Sequence, residues 1–418
     1  MINLENIQRI YFIGIGGIGM SALARYFSFH GKTVSGYDRT ETALTKKLVA
    51  EGIPVTYEDK IEEAPKDTDL VVYTPAIPAD HKQLSYYRDN NYTVVKRSDV
   101  LGAITQSSFN ICIAGTHGKT TISTMVAHVL RHTGYGCNAF LGGIAANYNS
   151  NFWSSENNTC VIEADEYDRS FLKLNPDIAV ISAMDADHLD IYGTEKNMQD
   201  SFIEFASKIK NNGVLFVKEG LVRENEFRAP AILKYSMKNA SADIHPQNVR
   251  MMNGYYLFDV KVKNEIVDDV ALNMGGLHNV ENASVAIAIA KQLKIDDEAI
   301  RQAVEEFKGV KRRFEYIIKK KKLVYIDDYA HHPEELAALI KSAKSLFEDM
   351  KCTVIFQPHL FTRTRDLAEG FANSLDLADE VILLPIYPAR ELPIEGVTSE
   401  LIKSKMNNRN VRIVEKKD

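Results

Sequence analysis

Cysteine is scarce in this chain, four in 418 residues, and no two of the four form a Cys-x-x-Cys pair. Cys112, Cys137, Cys160 and Cys352 therefore lack the spacing of a structural zinc site or a disulfide framework. Reduced thiols in a cytoplasmic protein are the simplest reading. No apolar run approaches the roughly 18 residues of a membrane helix. Glu5 and Arg9, followed by a glycine-rich turn, argue against a secretory signal. Positive charge is not in excess: the formal net charge is -6 at pH 7, which speaks against a general nucleic-acid or membrane-surface binder. Low-complexity tracts and repeats are also missing. What remains is an ordinary globular composition, 45% hydrophobic and 25% charged, over a length suited to two or three domains.

The most informative stretch is Gly115-Thr116-His117-Gly118-Lys119-Thr120-Thr121. It follows an apolar, strand-like run at 109–114 and opens a helical pattern at 122–132. Strand, glycine loop, Lys-Thr and helix together make a phosphate cradle. The glycines turn backbone N–H groups toward one anion, and the helix N-terminus adds its partial positive charge. Lys119 is placed for the outer phosphates of a nucleotide and the Thr120 hydroxyl for Mg²⁺. The spacing is shorter than G-x-x-x-x-G-K-[ST], which would need glycine where Ile113 stands. ATP chemistry in the middle of the chain is the expectation, against a bare packing turn with a chance Lys-Thr.

A second glycine pattern, Gly14-Ile15-Gly16-Gly17-Ile18-Gly19, satisfies G-x-G-x-x-G between a strand (9–15) and a helix (20–30). Asp38 ends the next strand, placed for a ribose hydroxyl. Physically this specifies a nucleotide diphosphate with a ribose nearby; NAD and a UDP-sugar both qualify.

Polar clusters follow later strands, where ligands gather in open α/β sheets. In Glu163-Ala164-Asp165-Glu166-Tyr167-Asp168 the acids are dense enough to demand a cation or a Lys/Arg nearby, and Glu163 can face the phosphate loop. Asp185-Ala186-Asp187-His188-Leu189-Asp190 sets a histidine among carboxylates and points to a second metal, where a lone histidine would read as a surface residue. His278, Asn279 and Asn282 at a helix start supply donors and acceptors for a base or ribose, or merely cap the helix. Arg312-Arg313 suits two-pronged carboxylate or phosphate binding, or is a solvated pair at a domain edge. Asp327 to Glu334 and Gln357 to Arg365 gather acids, Tyr329, His331, His332, Arg363 and Arg365 at two further strand ends.

Strand and helix alternate through the first and last hundred residues, so parallel sheets flanked by helices are expected. Lys319 to Lys322 reads as a solvated hairpin turn. Boundaries fall near 103–108 and 308–313, giving units 1–105, 106–310 and 311–418.

These motifs, in this order, resemble the Mur ligases of peptidoglycan synthesis, from about Ile10 to the end of the chain. His117 in the phosphate loop and the Gly-Ile-Gly-Gly-Ile-Gly-Met opening resemble the alanine-adding branch; its relative is a ligase that recycles a whole tripeptide. The resemblance implies a three-domain α/β architecture: a Rossmann-like substrate domain, a central P-loop ATPase domain and a Rossmann-like amino-acid domain. It implies ATP and Mg²⁺, with UDP-N-acetylmuramate and L-alanine as small-molecule substrates, no nucleic-acid or membrane partner, and a cytoplasmic monomer or homodimer. Gly14, Gly16, Gly17, Gly19 and Asp38 would hold the UDP moiety. Gly115, Thr116, His117, Gly118, Lys119, Thr120 and Thr121 would cradle the ATP phosphates, with Thr120, Glu163 and His188 on metal. His278, Asn279 and Asn282 match the nucleotide-contact motif. Arg313 would face the muramoyl carboxylate or phosphates, and Tyr329, His331 and Arg363 the incoming alanine. Lys119, His188, Arg313 and His331 are the expected catalytic group. Many members carry Arg where Leu360 stands, which leaves the alanine carboxylate resting on Arg363. The chain also stops at Asp418, short of the family's closing Gly-Ala-Gly-Asp segment, so a truncated last domain is expected.

The chemistry expected is activation of a carboxylate as an acyl phosphate, which an unprotonated amine then attacks, with His331 as a candidate base. The rivals are a nicotinamide oxidoreductase built on the first glycine turn, which leaves the phosphate loop and both acidic clusters without a role, and a nucleotide-sensing module that binds without turnover.

Overall fold

The computed structural model describes residues 4–186, 189–252, 255–389 and 391–415. Strands β1 (Arg9–Ile13), β2 (Thr33–Tyr37), β3 (Val55–Thr56), β4 (Leu70–Tyr73) and β5 (Val94–Lys96) form a sheet in the order β3-β2-β1-β4-β5. All its pairings are parallel. Helices α1 (Ile18–Phe29), α2 (Ala43–Ala50), α3 (Lys82–Asp89) and α4 (Arg97–Ser107) connect the strands. Ile10, Tyr11, Phe12 and Ile13 are all buried, as a parallel strand covered on both faces requires. Because β1 pairs with β2 on one side and β4 on the other, the chain reverses its direction of winding at the end of β1. That is the point where such sheets open a ligand crevice.

The central elements are β6 (Phe109–Ala114), α5 (Lys119–His132), β7 (Asn138–Ala145), β8 (Ser150–Trp153), β9 (Thr159–Glu163), β10 (Ile178–Ile181), α6 (Leu189–Tyr192), α7 (Glu195–Ser207), β11 (Val214–Lys218), β12 (Ile232–Tyr235), β13 (Ile244–Met252), β14 (Tyr255–Val262), β15 (Glu265–Leu272), α8 (Leu277–Gln292) and α9 (Asp297–Glu306). Their strands make one sheet, β15-β14-β13-β12-β11-β10-β6-β9-β7-β8. Again the first strand, β6, lies between two parallel neighbours, β9 and β10, so a second crevice opens beyond Ala114.

The last elements are β16 (Glu315–Lys320), β17 (Leu323–Asp327), α10 (Pro333–Leu346), β18 (Thr353–Phe356), α11 (Phe361–Leu375), β19 (Glu380–Leu383), α12 (Ser399–Lys403) and β20 (Val411–Ile413). β16 and β17 are an antiparallel hairpin, and β18-β19-β20 a parallel sheet. Lys319 and Lys320 extend β16, so the hairpin turn is narrower than the lysine run. α11 starts at Phe361, where Leu360 ends the preceding segment at φ 71° and its carbonyl accepts from both the Thr364 N–H and hydroxyl.

By packing, the chain divides into two units. One comprises residues through Arg250, Leu257–Leu272 and Glu281–Lys308; the other comprises Met251–Tyr256, Asn273–Val280 and Gly309 onward. The larger core runs from Phe12, Leu23 and Phe27 through Phe140, Ile162 and Phe202. The smaller unit has its own, around Ile340, Phe371, Leu375 and Val381.

Candidate active site

The phosphate loop leaves β6 at Ala114 and enters α5 at Lys119. Gly115 (φ 133°) and Gly118 (φ 82°) hold backbone conformations that favour glycine. Space demands it too: a Cβ on Gly115 would lie 2.8 Å from the Ala183 nitrogen. The segment after β10 braces the loop. The Thr116 N–H donates to the Ala183 carbonyl and the Asp185 N–H to the Thr116 hydroxyl, both at 3.1 Å. The Ser182 hydroxyl bonds the Ala114 carbonyl at 3.2 Å and also the His117 carbonyl. His117 Nε2 lies 3.4 Å from Asp185. Asn282 borders the loop, its Oδ1 3.3 Å from where a Gly118 Cβ would be.

Lys119 Nζ donates to the Gly115 carbonyl at 2.5 Å and to Glu166 Oε1 at 2.8 Å. Burial, the largest single influence, would pull this ammonium's pKa down, but the carboxylates of Glu166, Glu163 and Asp165 together hold the lysine above its ordinary value. Glu163, at the end of β9, accepts from the Thr120 hydroxyl at 3.0 Å and from the Gly142 N–H at 3.0 Å, with the Ser123 hydroxyl at 3.5 Å. Burial pushes the Glu163 carboxyl up. A desolvated carboxylate beside a threonine hydroxyl at a helix N-terminus suits a hard cation, which takes oxygen donors and retains phosphate and water ligands. The other acids have the cations their density demanded: Asp168 meets Lys96 at 3.0 Å and Asp165 meets Arg97 at 3.8 Å. Asp187 and His188 lie outside the described residues. Among those described, no three His, Cys, Asp or Glu side chains converge as a metal cluster.

At the first glycine turn, the N–H groups of Gly14 and Ile15 both reach the Tyr37 carbonyl, at 2.8 and 2.9 Å, and the Gly17 N–H returns to the Gly14 carbonyl. Asp38 accepts from the Gly16 N–H at 2.8 Å and from the Thr40 N–H at 3.1 Å. A Cβ on Gly16 would lie 2.7 Å from that carboxylate, and one on Gly19 2.8 Å from Arg97 Nη1.

In the smaller unit the Arg313 guanidinium lies 5.8 Å over the Tyr329 ring, which is 5.2 Å from His331. The His331 Nδ1–H donates to the Tyr329 carbonyl at 2.9 Å, with Glu335 at 3.5 Å. His359, 6.5 Å from His331, accepts from Arg363 Nη1 at 3.3 Å and stacks on Tyr387. Arg313, Tyr329, His331 and Arg363 thus stand in one chain of contacts. Asp328 serves the backbone instead, accepting from the Phe314 and Ala330 N–H groups at 2.7 Å each, and burial pushes its carboxyl up. His278 and Asn279 belong to this unit as well; the Asn279 amide donates to the Gly275 carbonyl at 2.7 Å.

Sequence reasoning did not single out Glu166, Ser182, Gly142, Arg97 or His359. The acid density called for a cation beside Glu166 but not for Lys119 in particular. Glu163 ends β9 and Glu166 precedes a 3-10 turn (Tyr167–Lys173), and the two carboxylates reach Thr120 and Lys119 respectively.

Three family models match in sequence order. The Mur ligase family catalytic domain covers residues 9–108, the Mur ligase middle domain 113–290 and the Mur ligase glutamate ligase domain 312–418. A UDP-N-acetylmuramate–L-alanine ligase of Flavobacterium johnsoniae is 49% identical over all of this chain and 92% of its own. That of Cytophaga hutchinsonii is 47% identical over 99% and 91%. Among solved structures, the UDP-N-acetylmuramate–alanine ligase of Thermotoga maritima superposes with TM-score 0.82 at 29% identity, covering 98% of this chain and 90% of that one. A murein peptide ligase of Psychrobacter arcticus shares the fold, with TM-score 0.71 at 24% identity over 98% of this chain and 91% of its own. The chain belongs to the Mur ligase family.

Proposed function

We infer that this chain is an ATP-dependent ligase that joins L-alanine to the carboxylate of UDP-N-acetylmuramate in peptidoglycan synthesis, releasing ADP and phosphate. The observation that carries the reading is the head of α5, where Lys119, Thr120 and Glu163 meet beside a glycine loop. A carboxylate is a poor electrophile because its leaving group would be oxide. Phosphoryl transfer from ATP converts it to an acyl phosphate, and the amine of alanine then displaces phosphate. Lys119 neutralises charge on the transferred phosphoryl group, and the loop N–H groups orient it. Thr120 and Glu163, with His188 from the family pattern, would hold Mg²⁺, which supplies further charge neutralisation when bound. Arg313 faces the muramoyl carboxylate or phosphates. Tyr329, His331 and Arg363 receive the alanine, with His331 as the base that takes its proton. His278, Asn279 and Asn282 contact the ATP nucleoside, while Gly14, Gly16, Gly17, Gly19 and Asp38 hold the UDP moiety.

These roles assign residues 1–105 to the nucleotide-sugar, 106–310 to ATP and 311–418 to the amino acid. We place the enzyme in the cytoplasm as a monomer or homodimer, and no described helix is long and apolar enough to cross a membrane. The test is phosphate release from ATP with UDP-N-acetylmuramate and each candidate acceptor. Alanine should support turnover, and Lys119→Ala should lose at least about a hundredfold of it. No ADP from wild-type protein with all substrates present, or undiminished turnover of the variant, overturns the reading. The same assay with a tripeptide acceptor separates the alternative, a tripeptide-recycling ligase of the same fold.

A further inference from the structure

We propose that Arg97 is a substrate-binding residue, holding the diphosphate of the nucleotide-sugar at the first glycine turn. The inference rests on the reading of that turn given above. Arg97 opens α4, directly after β5, and its side chain is 22% exposed. Its guanidinium lies against the fourth glycine of the turn: a Cβ on Gly19 would meet Nη1 at 2.8 Å and Cζ at 3.2 Å. Glycine there therefore makes room for an arginine as well as for a ligand.

The guanidinium has N–H donors to spare. Among the described residues it makes no hydrogen bond, and its ionic partner, Asp165, stands 3.8 Å from Nη2, beyond hydrogen-bond reach. Arg25 on α1 shows the contrast. It is buried, donates to Glu51 at 2.5 Å and to Asn151 at 2.7 Å, and is committed to structure. Arg97 is largely enclosed, uncommitted and beside a turn where the backbone permits close approach. A planar fork of donors in such a place suits a phosphate oxygen pair. Asp165, itself anchored by the Tyr167 N–H at 3.1 Å, is the positioning residue that holds the guanidinium across the turn without using up its donors.

The experiment is calorimetric titration of the full-length protein with UDP, UDP-N-acetylmuramate and a non-hydrolysable ATP analogue. Loss of a charged hydrogen bond predicts that Arg97→Gln binds UDP and UDP-N-acetylmuramate about 10- to 100-fold more weakly. The ATP analogue should bind within about twofold of wild type, which also reports that the variant is folded. Arg97→Lys should recover part of the loss, and Asp165→Asn should show a smaller loss in the same two ligands. Wild-type UDP binding by Arg97→Gln overturns the proposal. So does a loss confined to UDP-N-acetylmuramate, because it would move the arginine from the diphosphate to the sugar acid. A wild-type chain that binds no UDP nucleotide overturns the reading of the turn itself, a result distinct from failure of Arg97 alone.

Discussion

Glu163 and Glu166 are three positions apart in one acidic run, yet they serve different partners: Glu166 pairs with Lys119, and Glu163 takes the Thr120 hydroxyl and the Gly142 N–H. Gly142 lies past the last paired position of β7 with β9, Phe140 opposite Ile162, and within the irregular register of β7 with β8, so its N–H bonds a side chain there instead of a ladder carbonyl. A Cβ on Gly142 would run into the Glu163 carboxylate. Gly142→Ala should therefore lower kcat by about tenfold or more while leaving UDP binding unchanged, since displacing an active-site group is costly to rate. Steady-state kinetics and UDP titration of the variant check this, and a wild-type kcat would refute it. His128 poses a different residue-scale question. It is buried, its Nε2–H donates to the Ala303 carbonyl, and its Nδ1 accepts from the Tyr148 hydroxyl, both at 2.8 Å, so both nitrogens are satisfied in the neutral ring. Burial lowers its pKa to about 4; Arg131 and His132 act in the same direction, while Glu306 opposes. The unfolded chain thus binds this proton more readily than the native one. The stabilisation is full above the ordinary histidine value of 6.5 and is lost as pH falls from there toward 4, about 3 kcal/mol in all. Denaturant unfolding across that window should show stability rising with pH in the wild type. A His128→Gln variant should lose most of the slope, and an unchanged slope would exclude His128 as its source.

Between elements, α1 is tied to β8 by one buried amide. Asn151 accepts from Arg25 at 2.7 Å, and its own amide donates to the Ile18 carbonyl at 2.7 Å and the Ser21 hydroxyl at 3.2 Å. Asn151→Leu would leave part of the guanidinium desolvated and unbonded, while the Ile18 carbonyl keeps the Ser21 hydroxyl at 2.9 Å. It should cost about 1–3 kcal/mol of stability, read by denaturant titration, whereas Asn151→Asp keeps the Arg25 contact and should cost less; equal losses would place the stabilisation elsewhere. Elements of this kind divide by how much of their logic is local. β1, β6 and β10 were legible because a parallel strand buried on both faces reads as an apolar run, and both ligand turns because glycine spacing is a local signal. β7, β8, β13 and β15 were not. They mix buried and exposed positions, and β7 carries Gly142 and Gly143 at its bulge, so neither a continuous run nor strict alternation marks them. In the site the same division holds. The loop residues follow from spacing, but the bonds from Lys119 to Glu166 and from Gly142 to Glu163 span 47 and 21 positions, and only the fold supplies them. Arg97 escaped notice because a single arginine at a helix start carries no pattern, and its meaning comes from Gly19 beside it.

At the scale of the whole molecule, two packing units within one chain, each with its own core, make a single melting temperature an incomplete description. The first glycine turn, Asp38 and Arg97 all lie in the larger unit. A ligand confined to that turn can stabilise only the unit that binds it, by RT ln(1 + [L]/Kd), about 2.7 kcal/mol at a hundredfold excess over Kd. Scanning calorimetry of the full chain with saturating UDP should therefore raise one transition and leave the other in place. Gly16→Val, which forces a side chain against the Asp38 carboxylate, should abolish the UDP shift while preserving the unaffected transition as an internal reference. If UDP moves both transitions equally, the two units unfold as one cooperative body, and the division seen in packing has no thermodynamic counterpart. If it moves only the transition belonging to the smaller unit, identified by limited proteolysis of the partly melted chain, the nucleotide-sugar does not bind at the turn and the assignment of residues 1–105 falls with it.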